Sequence, residues 1–300
     1  MNRNTKARGG FTLIELLVVI FIIGVLVALF TGAAMMFRER QVERSTENRL
    51  QRWQIGLNTE YDRIVQKAQK DRVPDQVLAY CGGDPKRAKA VHTAALLRAY
   101  MPENFAELVE FEVGGYKYEL KQAFKPFAGV TGPTLDQQSA ILLYLILSEQ
   151  SISGSTGDSG ATGEETSIKI GTAANSRDVR MFQDPRGEPV LFSRWAQSNE
   201  LDIAPYVNAK TGFPDPLDPE GLVATAPATG WTAALRDDLN KSPRFLKFAG
   251  VPLAGGQPLP SRNRVPTVLS KGKDKTFNNF AAGADDILGY RLDRFGKKGN

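Results

Sequence analysis

The chain has 300 residues, a formal charge of +5, one cysteine and one histidine. Cys81, being alone, forms no internal disulfide, and Cys81 with His92 falls short of the usual zinc ligand sets. Arg3, Lys6 and Arg8 supply three of the five positive charges and leave +2 for the rest, so the basic balance offers no clustered face for nucleic acid.

In chain order, the first element is an apolar run from Phe11 to Phe37, in which Glu15 is the one charged side chain. A helix of that length is roughly 40 Å long, enough to cross a lipid bilayer with tilt. A carboxylate in hydrocarbon costs on the order of 2.5–3.5 kcal/mol even on the lenient insertion scale, so Glu15 requires a partner and a role. A cut between Gly10 and Phe11 creates that partner, because the new Phe11 amine is positive and Glu15 of a neighbouring copy neutralises it. An ordinary secretory signal fits poorly: the apolar run is about twice an h-region, and no Ala-x-Ala site follows it. An uncleaved signal anchor needs only the basic flank and the apolar run, and it leaves Glu15 and the Gly10–Phe11 junction unexplained. Under either reading the positive flank places the N-terminus in the cytoplasm and everything after Phe37 outside.

The basic leader, Gly10, Phe11 and Thr12-Leu13-Ile14-Glu15 together resemble the class III signal of type IV prepilins and type II secretion pseudopilins. The resemblance implies that a prepilin peptidase cleaves after Gly10 and methylates the Phe11 amine. It implies assembly through Phe11 and Glu15 with other pilin or pseudopilin subunits on an inner-membrane platform. The expected protein is a structural subunit rather than an enzyme: a pseudopilin of a type II secretion system or a minor type IV pilin. It would cross the inner membrane once, with its globular part periplasmic. An exported binding protein or adhesin that uses the helix only as an anchor is the other reading.

Beyond Phe37 the helix is expected to continue as an amphipathic segment over residues 38–73. Leu50, Trp53, Leu57, Tyr61, Ile64 and Ala68 recur at spacings of three and four. Glu39/Glu43 and Arg40/Arg44 read as a solvated charged face. Gly24 and Gly32 each weaken the helix by about 1 kcal/mol relative to Ala, which suits local melting or close helix packing.

Residues 74–150 read as mainly helical. Asp84-Pro85 fits an N-cap followed by proline at the first helical position, and Ala88, Val91, Ala95, Leu96 and Ala99 carry helical spacing up to Pro102. His92 in this helix reads as a surface or packing residue. Phe105 to Val113 and Tyr116 to Leu120 flank Gly114-Gly115, a hairpin signal. Leu135 to Leu147 is an apolar helix too short to span a bilayer.

Residues 151–166, small and polar, read as a flexible linker, and residues 167–300 as β-rich. Val179 to Gln183 and Pro189 to Trp195 flank Asp184-Pro185-Arg186-Gly187 as a hairpin; this phrase resembles an element of pseudopilin globular domains. Residues 207–230 read as an irregular loop, and Arg244 to Phe248 and Ile287 to Leu292 as strands. Asp285-Asp286 resembles the acidic turn before the last strand of some pseudopilins, which implies a calcium ligand pair; a polar turn is the alternative, with no cofactor. Loosely, the whole order of elements resembles large prepilin-type proteins of planctomycete-like bacteria. The fold expected is α+β: a long N-terminal transmembrane and amphipathic helix packed on a globular domain of short helices and an antiparallel sheet. Phosphate-loop, nucleophile-elbow and His-Glu-x-x-His motifs are missing, so no catalytic residue is nominated.

Overall fold

The computed structural model describes residues 13–152, 165–171, 176–196, 265–277 and 285–295. The chain divides into two compact units, Met1–Ser45 and Thr46–Asn300. Helix α1, Leu13–Lys70, supplies all the described residues of the first. The architecture is α+β.

In the second unit, α1 buries Leu50, Trp53, Leu57, Tyr61, Ile64 and Ala68, the stripe expected from their spacing, and Thr46 as well. The end of the helix is closed by a distant side chain. Lys89 Nζ donates to the carbonyls of Gln69 and Asp71, both at 2.8 Å, where no further helical turn supplies a donor. A short helix α2, Asp75–Tyr80, follows Pro74. Helix α3, Pro85–Tyr100, starts as expected: Asp84 Oδ1 accepts from the amides of Lys86 (3.0 Å) and Arg87 (3.3 Å). Every residue from Ala90 to Ala99 is buried, and four alanines among them let neighbours close in on all sides.

Strands β1, Phe111–Val113, and β2, Tyr116–Tyr118, form the Gly114-Gly115 hairpin. Both glycines have positive φ, 60° and 86°, as a two-residue turn of this hand requires. The first strand is shorter than expected. Phe105–Glu107 is a 3-10 turn, because Asn104 Oδ1 accepts from Glu107 N at 3.1 Å and diverts the chain from extension. Helix α4, Leu135–Ile152, begins with a reciprocal cap: Thr134 N donates to Gln137 Oε1 (2.9 Å) and Gln137 N donates to Thr134 Oγ1 (3.3 Å).

The β-rich half corrects two expectations. The Asp184 turn closes, with Asp184 N on Glu188 O (2.9 Å) and Val190 N on Phe182 O (3.1 Å), and Gln183 bridges to Pro189. The flanking strands then part company. Strand β4, Arg177–Phe182, pairs antiparallel with β3, Glu165–Ile170, while β5, Leu191–Ala196, pairs with β6, Val265–Ser270. The edge of β5 that would have met β4 is filled by side chains. Ser139 Oγ accepts from Phe192 N (2.8 Å) and donates to Phe192 O (3.1 Å), and Glu103 Oε1 accepts from Arg194 N (2.8 Å). The second correction is at the end of the chain. The strand β7 is only Ile287–Leu288, paired to β6, and Gly289–Phe295 is helix α5. Tyr290 N turns to Thr267 Oγ1 at 3.2 Å rather than to a strand carbonyl.

At the ends of the expected linker, α4 reaches Ile152 and β3 starts at Glu165, and residues 153–164 lie outside the described residues. Gly10, Phe11, the loop at residues 207–230 and the strand at residues 244–248 lie outside the described residues. The core gathers around Phe182, with Trp53 of α1 at 4.7 Å and Tyr144 of α4 at 5.4 Å between ring centroids.

Candidate functional site

Glu15 lies in the first turn of α1. Around and after it, residues 13–37 are exposed on every face, with Leu13 83% and Phe30 73% accessible. Such a helix, apolar all round, is stable only among lipid tails or other helices. It is long and apolar enough to cross a membrane. Besides Glu15 it carries Thr31, whose hydroxyl donates back to Val27 O at 2.7 Å, which satisfies it without a partner helix. A Cβ placed on Gly24 or Gly32 meets nothing within 4 Å, so packing inside this chain does not call for either glycine.

The other residues singled out by sequence sit apart from this segment in the chain. Asp285 is half-buried, and its Oδ2 accepts from the amides of Lys273 and Asp274, which closes the turn after β6. Asp286 beside it is buried. Among the described residues no group of three or more His, Cys, Asp or Glu side chains is placed to hold a metal. Asp285 is thereby engaged as a turn acceptor of the Lys273 and Asp274 amides.

His92 is buried, and its Nδ1 lies 2.8 Å from Tyr118 Oη, which ties α3 to β2. Burial, reinforced by the Lys89 charge, pushes its pKa down to about 4. Burial pushes the Cys81 thiol up to about 11. A neutral histidine bonded to a phenol and a protonated buried thiol are packing groups at neutral pH, which agrees with the packing alternative for His92.

Sequence reasoning missed the buried charges of the domain. Arg194 is fully buried; its Nη1 donates to Met101 O (2.9 Å) and Glu107 Oε2 (3.1 Å), and its Nη2 to Glu107 Oε1 (3.3 Å). Glu103 N in turn donates to Glu107 Oε2 at 2.8 Å. Glu60, on the buried face of α1, accepts from Arg63 and from Lys121 at 3.0 Å. Burial alone would raise its carboxyl, but the hydrogen bonds and charges of Arg63 and Lys121 outweigh that and hold it below its ordinary value. Both clusters fasten elements together. The only forward signal was the carboxylate spacing of Glu103 and Glu107 after Pro102, which carries no hint of an arginine so far along the chain.

Residues 5–31 match the family model described as the prokaryotic N-terminal methylation motif. No curated protein and no solved structure matches the chain. The N-terminal segment is thus a prepilin-type methylation motif, and its matched residues include the Gly10–Phe11 junction and Glu15. The motif supports a pilin-like precursor processed by prepilin peptidase. With the long apolar helix it supports a single-pass membrane anchor.

Proposed function

We propose that this chain is a structural pilin-like subunit, cut between Gly10 and Phe11, methylated on Phe11 and assembled through α1. Its place is in a secretion pseudopilus or as a minor subunit of a type IV pilus. The observation that carries this reading is the methylation motif at residues 5–31 leading into a helix whose apolar surface is exposed throughout residues 13–37. Glu15 neutralises the Phe11 amine of the next copy, and the apolar surface is buried against neighbouring helices as subunits leave the bilayer. The globular unit faces the periplasm and decorates the fibre.

Intact mass and N-terminal sequencing of the chain from native membranes test the processing step. A start at N-methylated Phe11 is expected; an uncut N-terminus would make the helix a plain anchor and return the function to the binding-protein reading. Assembly is tested by Glu15→Ala, which should leave cleavage intact and abolish recovery of oligomers.

A further inference from the structure

The apolar stretch of α1 is built mainly of Leu, Ile, Val, Phe and Ala, and both of its methionines fall among its last residues, Met35-Met36-Phe37. Met35 and Met36 are 69% and 62% accessible, whereas Met101 and Met181 in the globular unit are 0% and 4% accessible. Residues 13–37 centre on Val25, and Met35 and Met36 stand ten and eleven residues beyond it. That distance is about 15–17 Å along the helix. Half the thickness of a hydrocarbon core is about 15 Å. With Val25 at the midplane, both thioethers therefore lie at the rim of the hydrocarbon, just inside Arg38. A small neutral oxidant reaches that level from water without crossing the membrane. Consecutive positions point about 100° apart, so the two side chains cover adjacent sides of the helix.

We infer that Met35 and Met36 form an oxidation site for hydrogen peroxide, and that their sulfoxides stop α1 from packing against a second copy. The effect on packing rests on the assembly reading above and adds a chemical brake to it; the oxidation rests on where the sulfurs lie. A sulfur lone pair attacks one peroxide oxygen, and an S–O bond forms as the O–O bond breaks. The departing hydroxide takes the proton from the transferred oxygen and leaves as water. Sulfur loses two electrons and the peroxide gains them. Each product is a polar sulfoxide in place of a flexible apolar side chain. The anchor survives the change, because residues 13–34 are about 33 Å long and still cross the hydrocarbon. Helix packing does not survive it, because a neighbour would bury two strong acceptors against apolar groups that offer no donor. Subunits already packed shield the thioethers, so the site acts on the chain in the bilayer before assembly.

Membranes carrying the full chain are treated with hydrogen peroxide, and oxygen uptake by each methionine is followed by peptide mass spectrometry. Met35 and Met36 are expected to gain oxygen several-fold faster than Met101 and Met181. Equal or slower uptake at Met35 and Met36 would overturn the site. Amine cross-linking then reports on assembly, each sample being compared with its own untreated membranes. Peroxide should lower Glu15-dependent oligomers of the wild type several-fold while the chain stays in the membrane fraction. The same treatment should leave those of a Met35→Leu, Met36→Leu variant unchanged. An equal loss in that variant, or undiminished wild-type oligomers after full oxidation, would refute the brake and leave the assembly reading standing. Methionine sulfoxide reductase supplies a readout that needs no variant: oligomers should return as the sulfoxides are reduced. Their failure to return counts against the brake. If untreated membranes yield no Glu15-dependent oligomers, the assembly reading and the brake fail together, and the uptake rates still decide the site.

Discussion

Gln54 on α1 stands in for a β-strand against Val268. Its Oε1 accepts from Val268 N at 3.0 Å, and its Nε2 donates to Pro266 O at 2.8 Å and to Asn58 Oδ1 at 2.9 Å. β7 pairs only with Leu269 and Ser270, so the earlier part of that edge of β6 is completed by a helix side chain. Gln54 is fully buried, which makes the amide a high-stakes group. Gln54→Leu leaves a buried amide and a buried carbonyl without their partners, at about 1–3 kcal/mol each. The detergent-solubilised full chain should lose roughly 2–4 kcal/mol in urea denaturation. A loss under about 0.5 kcal/mol, the range of ordinary surface changes, would show that water or a shifted strand replaces the amide.

His92 predicts a pH dependence with a definite sign. Its folded pKa, about 4, lies below the ordinary 6.5, so between those values the unfolded chain binds a proton that the folded chain refuses. The stabilisation is complete above pH 6.5, falls as the pH drops toward 4 and is gone below it. The window corresponds to roughly 3 kcal/mol. It is the sole histidine, so His92→Gln should flatten this part of the stability profile. Denaturation midpoints at pH 4.5 and 7.5 check it; an equal acid loss in wild type and variant assigns the loss to carboxylates instead.

Arg194 holds the segment Met101–Glu107 against β5 from inside. Arg194→Leu leaves Glu107 buried without its guanidinium, and losing one partner of a buried pair costs about 3–5 kcal/mol. Arg194→Lys keeps the charge but not the fork that reaches Met101 O and both Glu107 oxygens, so it should recover less than half of the loss. Thermal unfolding of the two variants side by side gives the comparison. Full recovery by lysine would reduce the site to simple charge balance.

What was legible in the sequence was local. The Asp84-Pro85 start of α3, the Gly114-Gly115 turn and the stripe of α1 from Leu50 to Ala68 are each written within a few residues, and the structure keeps them. The reciprocal cap of Thr134-Leu135-Asp136-Gln137 is equally local. The strand partners were not local. Val268 reaches Gln54 across 214 residues and Arg194 reaches Glu107 across 87, so neither pairing leaves a periodic trace near either residue. The Asp184 turn was recognised, but whether its strands stay together is decided by Ser139 and Glu103, which occupy the edge of β5. For the functional segment the balance is reversed. The apolar run and Glu15 are visible in sequence because a membrane imposes composition directly, without the aid of tertiary contacts.

The two turn glycines of the β1–β2 hairpin provide a matched pair of substitutions. Gly114 and Gly115 both have positive φ, so alanine at either carries the backbone cost of a left-handed conformation, roughly 1 kcal/mol. Their surroundings differ. A Cβ on Gly115 meets nothing within 4 Å, whereas one on Gly114 would lie 2.6 Å from Tyr80 Cβ and 2.7 Å from Gln76 O on α2. Helix backbone cannot yield as a flexible side chain can, so the hairpin and α2 must separate. Gly115→Ala should therefore cost about 1 kcal/mol and Gly114→Ala at least about 2 kcal/mol. Hydrogen exchange adds a spatial readout: protection should fall in α2 for the Gly114 variant and stay unchanged there for the Gly115 variant. Equal costs would mean that the hairpin tolerates displacement from α2, and that the contact with Tyr80 contributes little to the fold.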